Sequence, residues 1–506
     1  MSSIVCTCLS TAVLLAVPFL VPVLFPLAWI AFVPLFWVID RAGNLRCAIF
    51  NGWLAGFLAH LIGFYWLVNT ISVFGGFPYA VSAVVFLIYA ALQGLQMALF
   101  ALLVKRFGYG PLCLLPPAYW IAIEFWVPLL FPWYLANTQI VFTSFIQSAD
   151  LVGPYGASLI LMWFNAALYH GLLSWKDSRR IRWRPLLVVA LLVIASVIYG
   201  FIRLAAVTKE LQAAPKLDVA AVQGNIDIDL KWNPLQAQHN LQAHQRLTEQ
   251  ASGAALVIWP ESAVEFWLPD NLQQLPSEVT PALKPGGHFI FGAKSFTGQL
   301  GAPNFKAFNT AFFADAKGRV LDRYHKQVLL AFGEYLPFAG LLAKLPGIPF
   351  ADGFTAGDGP RTFVLFDGYR IAPLICYEDL MPELSRRFVK DAKADLLVNL
   401  TNDAWYGRTV APWQHARLSQ WRAIETRRTL FRVTNTGITS VINARGELTE
   451  ALPIFAPGVL KAQVEILEGE TLYVRFGDWF AWVATFLTLW IVLLRLRRNT
   501  GKLGSV

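Results

Sequence analysis

Long apolar runs joined by short polar connections fill the first part of this chain, a segment of mixed character follows, and one further apolar run comes near the end. A helix needs about 20 consecutive apolar residues to cross ~30 Å of hydrocarbon. By that measure eight spans are expected. Residues 10–39 are too long for one crossing and contain Pro18, Pro22, Pro26 and Pro34, so they divide into two short, irregular helices. The other six are expected at 48–68, 79–104, 112–131, 155–175, 185–204 and 477–494. No basic stretch precedes the first apolar run, which marks it as a retained span rather than a cleaved signal peptide.

Between the last two spans the period changes. Short β-rich runs stand at 217–223, 255–259, 288–293, 307–314, 362–366, 369–375, 394–399, 431–435, 439–443 and 459–464, with helical patterns at 234–251, 382–392 and 412–429. Turn residues at 315–318, 367–368 and 443–446 predict hairpins. Such alternation predicts an α/β or α+β domain, and the segment is long enough to bury its own core. The expected organisation is a seven-span domain over 1–204, a polar domain over 205–475, and a last span with a basic tail over 476–506.

Composition reinforces the membrane assignment. Hydrophobic residues make up 56% of the 506 and charged residues 14%, with a mean hydropathy of +0.51. The net charge of +9 divides into +6 before residue 205, zero over 205–475 and +3 beyond. A nucleic-acid binder would carry its basic excess on a folded polar surface, which is the neutral part here. Lys and Arg instead gather in alternate connections: Arg41 and Arg46, Lys105 and Arg106, Lys176 to Arg184, and Arg495 to Lys502. Because such residues collect on the cytoplasmic side, both termini are expected inside and 205–475 outside. The five cysteines and seven histidines show no disulfide framework and no metal-ligand spacing, so neither metal nor cofactor is expected.

Five residues of the polar segment stand out chemically. Cys376 ends the apolar run 370–375 where polar residues begin; a cysteine so placed is more often a small buried hydrophobe than a nucleophile. A thiol nucleophile requires a base or a cation nearby. Glu261 follows a strand and a proline, a position that also suits the first-turn acid of a helix. Lys326 follows the hairpin at Gly318, and Glu334 lies eight residues beyond it. Glu378 is two residues past the cysteine, on the same side if the strand continues. In the membrane part, Glu124 should face protein or water, pairing with His60 or another helix, or meeting a lipid headgroup.

Taken together, Trp259-Pro-Glu-Ser, Tyr324-His-Lys with Phe332-Gly-Glu-Tyr-Leu-Pro, Ile375-Cys-Tyr-Glu and Asn399-Leu-Thr-Asn-Asp-Ala-Trp resemble the nitrilase superfamily. With Val222-Gln-Gly-Asn, Lys231-Trp232 and the flanking spans, the whole chain is similar to the bacterial apolipoprotein N-acyltransferases. The resemblance implies an α-β-β-α sandwich beside a helical membrane bundle. It assigns Glu261 as general base, Lys326 as the cation beside nucleophile and oxyanion, and Cys376 as nucleophile. It adds Glu334, Glu378 and Tyr377 as supporting residues, and Trp232, Asn402 and Trp405 as substrate-binding candidates. A cation ~4 Å from the sulfur at an effective dielectric near 20 is worth about 4 kcal/mol, or roughly three pK units, and predicts a resting thiolate.

The apolar, Gly/Pro-rich loop 337–360 offers Leu341 and Phe354 as a lid that guides acyl chains. The implied reaction moves an acyl chain from a phospholipid through a cysteine thioester to the amine of a diacylated apolipoprotein. Its setting is the periplasmic side of the bacterial inner membrane, with lipids as partners and a monomeric enzyme. A membrane-tethered amidase and a non-enzymatic lipid carrier are the alternatives.

Overall fold

The computed structural model describes residues 2–128, 130–231, 233–251, 253–299, 302–331, 333–335 and 353–500. Two compact units emerge. One holds most residues before 206 together with those from Phe476 on; the other is Ala206–Arg475 joined by the short stretch Ser72–Gly76.

Among the described residues the membrane unit has seven helices long and apolar enough to cross a bilayer. They are Ser3–Leu20, Pro22–Arg41, Leu45–Gly63, Tyr79–Phe107, Tyr155–Ser178, Trp183–Ala213 and Trp479–Arg497. The proline-rich second span is irregular as expected, a 3-10 segment Pro22–Trp29 followed by the helix Val33–Arg41. Its interrupted backbone is completed by one side chain. Asn165 Oδ1 accepts from the Phe32 amide at 2.8 Å while its Nδ2 donates to the Ala28 carbonyl at 3.0 Å. A broken helix in hydrocarbon needs such a partner, because no water is there to supply one.

The expected span at 112–131 differs from the other seven in length, its helix being only Leu115–Trp126. Twelve residues extend about 18 Å, well short of the hydrocarbon thickness. Pro128 and Pro132 stop its continuation, and it is buried from Leu115 to Glu124. Glu124 faces protein, with Oε1 accepting from Trp120 Nε1 (2.7 Å), the Leu135 amide (2.6 Å) and Ser158 Oγ (3.2 Å). The Tyr79–Phe107 span divides at Gly94, whose α-carbon presses on the neighbouring helix. A Cβ there would sit 2.9 Å from the Trp53 carbonyl oxygen and 3.0 Å from the Phe57 nitrogen. Small residues let these two backbones touch.

The second unit contains two sheets. Strands β1 (Lys216–Gln223), β2 (Leu256–Ile258), β3 (Val264–Pro269), β4 (His288–Thr297), β5 (Lys306–Asp315) and β6 (Val320–His325) belong to the first. Strands β7 (Phe363–Val364), β8 (Arg370–Ile375), β9 (Leu396–Thr401), β10 (Leu430–Thr434), β11 (Ser440–Ile442) and β12 (Leu448–Ala451) form the second. The chain then returns through β13 (Gly458–Glu465) to the edge of the first sheet, giving the order β13-β1-β2-β4-β5-β6, with β3 also pairing β4. The second runs β12-β11-β10-β9-β8-β7.

Period-two alternation separates the faces of these strands. Val219 and Ala221 of β1 join Leu374 and Val398 in the core between the sheets, whereas Ala220 and Val222 join Leu241 under the helix Ala237–Glu249. Leu384, Phe388 and Ala423 bring the helices Pro382–Lys390 and Ala411–Thr426 onto the second sheet. The result is the α-β-β-α sandwich. Three strands had no expectation from sequence, β3, β6 and β12, while the hairpin turns at 315–318, 367–368 and 443–446 join β5 to β6, β7 to β8 and β11 to β12.

Candidate active site

Strand ends bring the candidate groups together. Glu261 lies in the connection between β2 and β3. No helix starts there, so the first-turn-acid alternative fails; the chain makes a tight turn with Ser262 at φ +51°. That turn presses on β4 at Gly292, where a Cβ would come within 2.6 Å of the Glu261 α-carbon. The buried Lys231 secures it from the other side, Nζ donating to the Ser262 carbonyl at 2.8 Å.

Lys326 directly follows β6, its amide donating to the Asn309 carbonyl of β5 at 2.9 Å. Its side chain is almost wholly buried, with Nζ 2.7 Å from Glu334 Oε2 and 3.9 Å from Glu261 Oε1. Asn309 holds the two acids apart. Its Nδ2 donates to Glu261 Oε1 and to Glu334 Oε1, each at 2.8 Å. The second oxygen of Glu261 accepts the Asn402 amide at 3.0 Å. Asn402 thus meets Glu261 through its backbone, and its side chain is occupied by Asn435 at 3.0 Å.

Cys376 opens a single 3-10 turn, Cys376–Leu380, immediately after β8, with φ +52°. A non-glycine residue in the left-handed region costs about 1–3 kcal/mol and persists only where its surroundings enforce it. Two neighbours do so. Asn399 Nδ2 donates to the Cys376 carbonyl at 2.9 Å, and Glu378 Oε2 accepts the Ile375 amide at 2.8 Å. Because strand geometry ends at Ile375, the expected alternation of Cys376 and Glu378 does not hold. Glu378 instead accepts from the Gln327 amide (2.7 Å), the Val328 amide (3.1 Å) and Tyr324 Oη (3.0 Å), anchoring the backbone just after Lys326.

The Glu261 carboxylate and the Lys326 ammonium both lie close enough to the Cys376 thiol to act on it electrostatically. Burial, then Glu261, pushes the Cys376 thiol well above its ordinary 9.0, and Lys326 only partly opposes them. This overturns the expected resting thiolate. The reason is charge compensation: burial alone would lower Lys326, yet Glu334, then Cys376 and Glu261, carry it above its ordinary value. Its positive charge is already engaged by two carboxylates. Glu261 is itself raised above 4.5 by burial, with Lys326 opposing. The arrangement is a neutral thiol facing a carboxylate of raised basicity beside a fixed ammonium, which is what proton abstraction and oxyanion stabilisation require.

Other candidates fall around this centre. Tyr377 is buried beside the cysteine, and burial raises its hydroxyl while Lys326 pulls it down. Trp405 packs against Phe74 at 4.3 Å between ring centroids, and the same phenylalanine ring closes on Gly333, next to Glu334. Phe354 donates its amide to the Glu334 carbonyl at 2.9 Å and stacks on Trp267 at 6.3 Å. Trp232 and Leu341, and with Leu341 most of the expected lid, lie outside the described residues. Asn309 and Phe74 were not anticipated. A buried Asn in an otherwise apolar strand is the signal that would have found the first; Phe74 carries no such mark.

Residues 11–167 match the family described as apolipoprotein N-acyltransferase N-terminal domain, and residues 218–469 match carbon-nitrogen hydrolase. The apolipoprotein N-acyltransferase of Geobacter metallireducens is 34% identical over 97% of this chain and 95% of its own. That of Photobacterium profundum is 30% identical over 94% of this chain and 92% of its own. Among solved structures, an amidase from Nesterenkonia sp. aligns with 50% of this chain and 91% of its own at 22% identity, with a TM-score of 0.36.

Proposed function

Because this chain belongs to the apolipoprotein N-acyltransferase family, we propose that it acylates the N-terminal amine of diacylated lipoproteins through a thioester on Cys376. It is a multi-pass membrane protein with a nitrilase-type catalytic domain. One observation carries the chemical reading: Glu261 Oε1 lies 3.9 Å from Lys326 Nζ, and both groups act electrostatically on the Cys376 thiol.

The reaction has two halves. In the first, Glu261 takes the thiol proton as the sulfur attacks the ester carbonyl of a phospholipid, and the Lys326 ammonium stabilises the oxyanion. The carbon–oxygen bond then breaks, Glu261 returns the proton to the departing oxygen, and a lysophospholipid leaves. In the second half the α-amine of a diacylglyceryl-cysteine attacks the thioester, Glu261 accepts the amine proton, and the sulfur leaves and is reprotonated. Apolar surroundings favour amine over water as acceptor; Phe74, Trp405, Phe354 and Trp267 support that reading.

The alternation of basic connections supports a catalytic unit on the periplasmic side of the inner membrane and both termini in the cytoplasm. That reading asks the short helix Leu115–Trp126 and the segment after it to complete one crossing together. Each chain carries a full set of reacting groups, which supports a monomer.

The test is transfer of a labelled acyl chain from phospholipid to a diacylated peptide by wild type and Cys376→Ser. Product from wild type alone is expected, together with a hydroxylamine-labile adduct that persists until amine is supplied. Product from both proteins overturns the assignment, and an adduct resolved equally fast without amine favours a tethered amidase.

A further inference from the structure

Beneath the reacting groups lies a second set of charges to which the reaction above gives no role. Arg432 of β10, Asp379, Asp403 and His415 are all buried. Each comes from a different part of the chain. Asp379 belongs to the turn opened by Cys376, Asp403 to the 3-10 turn Asp403–Tyr406, and His415 to the helix Ala411–Thr426. Arg432 Nη1 pairs with Asp379 Oδ2, and its Nη2 donates to Asp403 Oδ2 at 3.0 Å. The ring nitrogens of His415 bridge the same two acids, Nε2 to Asp379 Oδ1 and Nδ1 to Asp403 Oδ1, each at 2.9 Å, and Nδ1 also lies 2.9 Å from Arg432 Nη2. Two carboxylates and two basic side chains close a ring.

The ring reaches both partners of the proton transfer. Arg432 Nη1 donates to Asn399 Oδ1 at 3.2 Å, and Asn399 Nδ2 donates to the carbonyl of Cys376 at 2.9 Å. On the other arm, Asp403 directly follows Asn402, whose amide donates to Glu261 Oε2 at 3.0 Å. One guanidinium therefore ties the turn that presents the thiol to the turn that contacts the base. Buried ion pairs are weak evidence for stability, since apolar replacements often serve as well, but they do fix register. The nucleophile here sits at φ +52°, a conformation that must be enforced from outside.

From this geometry we propose that Arg432 is a positioning residue of the acyl-transfer reaction, holding the Cys376 and Asp403 turns in the register that brings thiol and Glu261 together. The proposal rests on the roles given above to Cys376 and Glu261. Arg432 acts through Asp379, Asp403 and Asn399, and His415 through the two acids. Lysine cannot replace the arginine, because its single ammonium lacks the planar fork that spans two carboxylates.

The experiment uses the full-length enzyme in lipid nanodiscs, with Arg432→Lys and, should that protein yield no titratable thiol, His415→Gln. The rate of hydroxylamine-labile adduct formation from labelled phospholipid is measured per Cys376 thiol titrated by alkylation. The expected result is a rate at saturation at least about 30-fold below wild type, the scale of a misaligned reacting pair, with half-saturating lipid within about threefold. The variant's rate should also climb with pH through neutrality, since the thiol would no longer be served by Glu261. A purely structural role lowers the amount of titratable thiol but leaves the rate per thiol and its pH profile at wild-type values; that outcome, or a loss confined to half-saturation, overturns the proposal. If wild type itself forms no adduct, the acylation reading fails. The pH profile of Cys376 alkylation by iodoacetamide, which needs no lipid, then tests Arg432 on its own: a profile identical in wild type and variant overturns it, and a displaced one supports it.

Discussion

Replacing Glu261 by Gln tests the central argument, because the side chain keeps its shape and loses only its capacity to take a proton. A thiol at its ordinary 9.0 is about 1% ionised at pH 7. In this site burial pushes it higher still; Glu261, the second cause of the rise, disappears with the substitution, but burial, the first, does not. Lys326, which pulls the other way, stays engaged by Glu334 at 2.7 Å. The thiolate share of the variant at pH 7 therefore remains near or below one in a hundred, and acylation should fall by at least ~100-fold, within the ~10²–10⁴ range of general-base catalysis.

The sign of the pH dependence follows from the same groups. Burial raises the Glu261 carboxyl above 4.5, so wild-type acylation is complete above that raised value and is lost as pH falls through it. The variant has no such plateau, and its rate should climb roughly tenfold per pH unit through neutrality as hydroxide replaces the base. Intact mass of the Cys376 adduct against time, at a series of pH values, reads both quantities. Adduct formation by the variant within tenfold of wild type at pH 7, on a flat profile, would refute the reasoning.

Three further outcomes are expected. Lys326→Met leaves Glu261 and Glu334 buried without a cation and bridged by Asn309, so the acids should share a proton and the oxyanion lose its donor. Adduct formation should drop by at least ~10²–10³, and a variant retaining a tenth of the wild-type rate would contradict this. Gly94→Ala puts a methyl group 2.9 Å from the Trp53 carbonyl oxygen, an overpacking worth about 1–3 kcal/mol; an unchanged thermal midpoint in detergent would show that the helices separate freely. Phe354→Asp breaks the stack on Trp267 and should slow transfer from vesicle phospholipid while sparing a short soluble ester, whereas equal rates on both would remove the lid from consideration.

Much of the site is legible in the sequence because the candidate catalytic groups sit where regular structure stops. Cys376 closes an apolar run, and Lys326 and Glu261 each follow a strand. What the pattern could not convey is the conformation after the strand: the left-handed backbone at Cys376 sends Glu378 toward Gln327 and Val328 rather than alongside the thiol. The strands β3, β6 and β12 were missed for a different reason. They carry polar or exposed residues such as Glu265, Asp322, Arg323 and Glu450, as strands at sheet margins do, and so lack the hydrophobic signature. Arg432 and Asn399 are polar positions inside apolar strands, a signal that marks a network only once the partner strands are known. The stretch 112–131 reads as a full span from its apolarity, but its helix is only Leu115–Trp126, and Leu115–Glu124 owe that apolarity to burial within the protein.

The suppressed acidity of Cys376 bears on how long the enzyme stays intact. Thiolates, not thiols, are the form that reacts with peroxides and small disulfides. If ionisation waits for the ester carbonyl, as proposed above, such a sulfur offers those oxidants almost no target between turnovers. On that proposal, chemical endurance and catalytic readiness are reconciled by leaving ionisation to the neighbouring carboxylate.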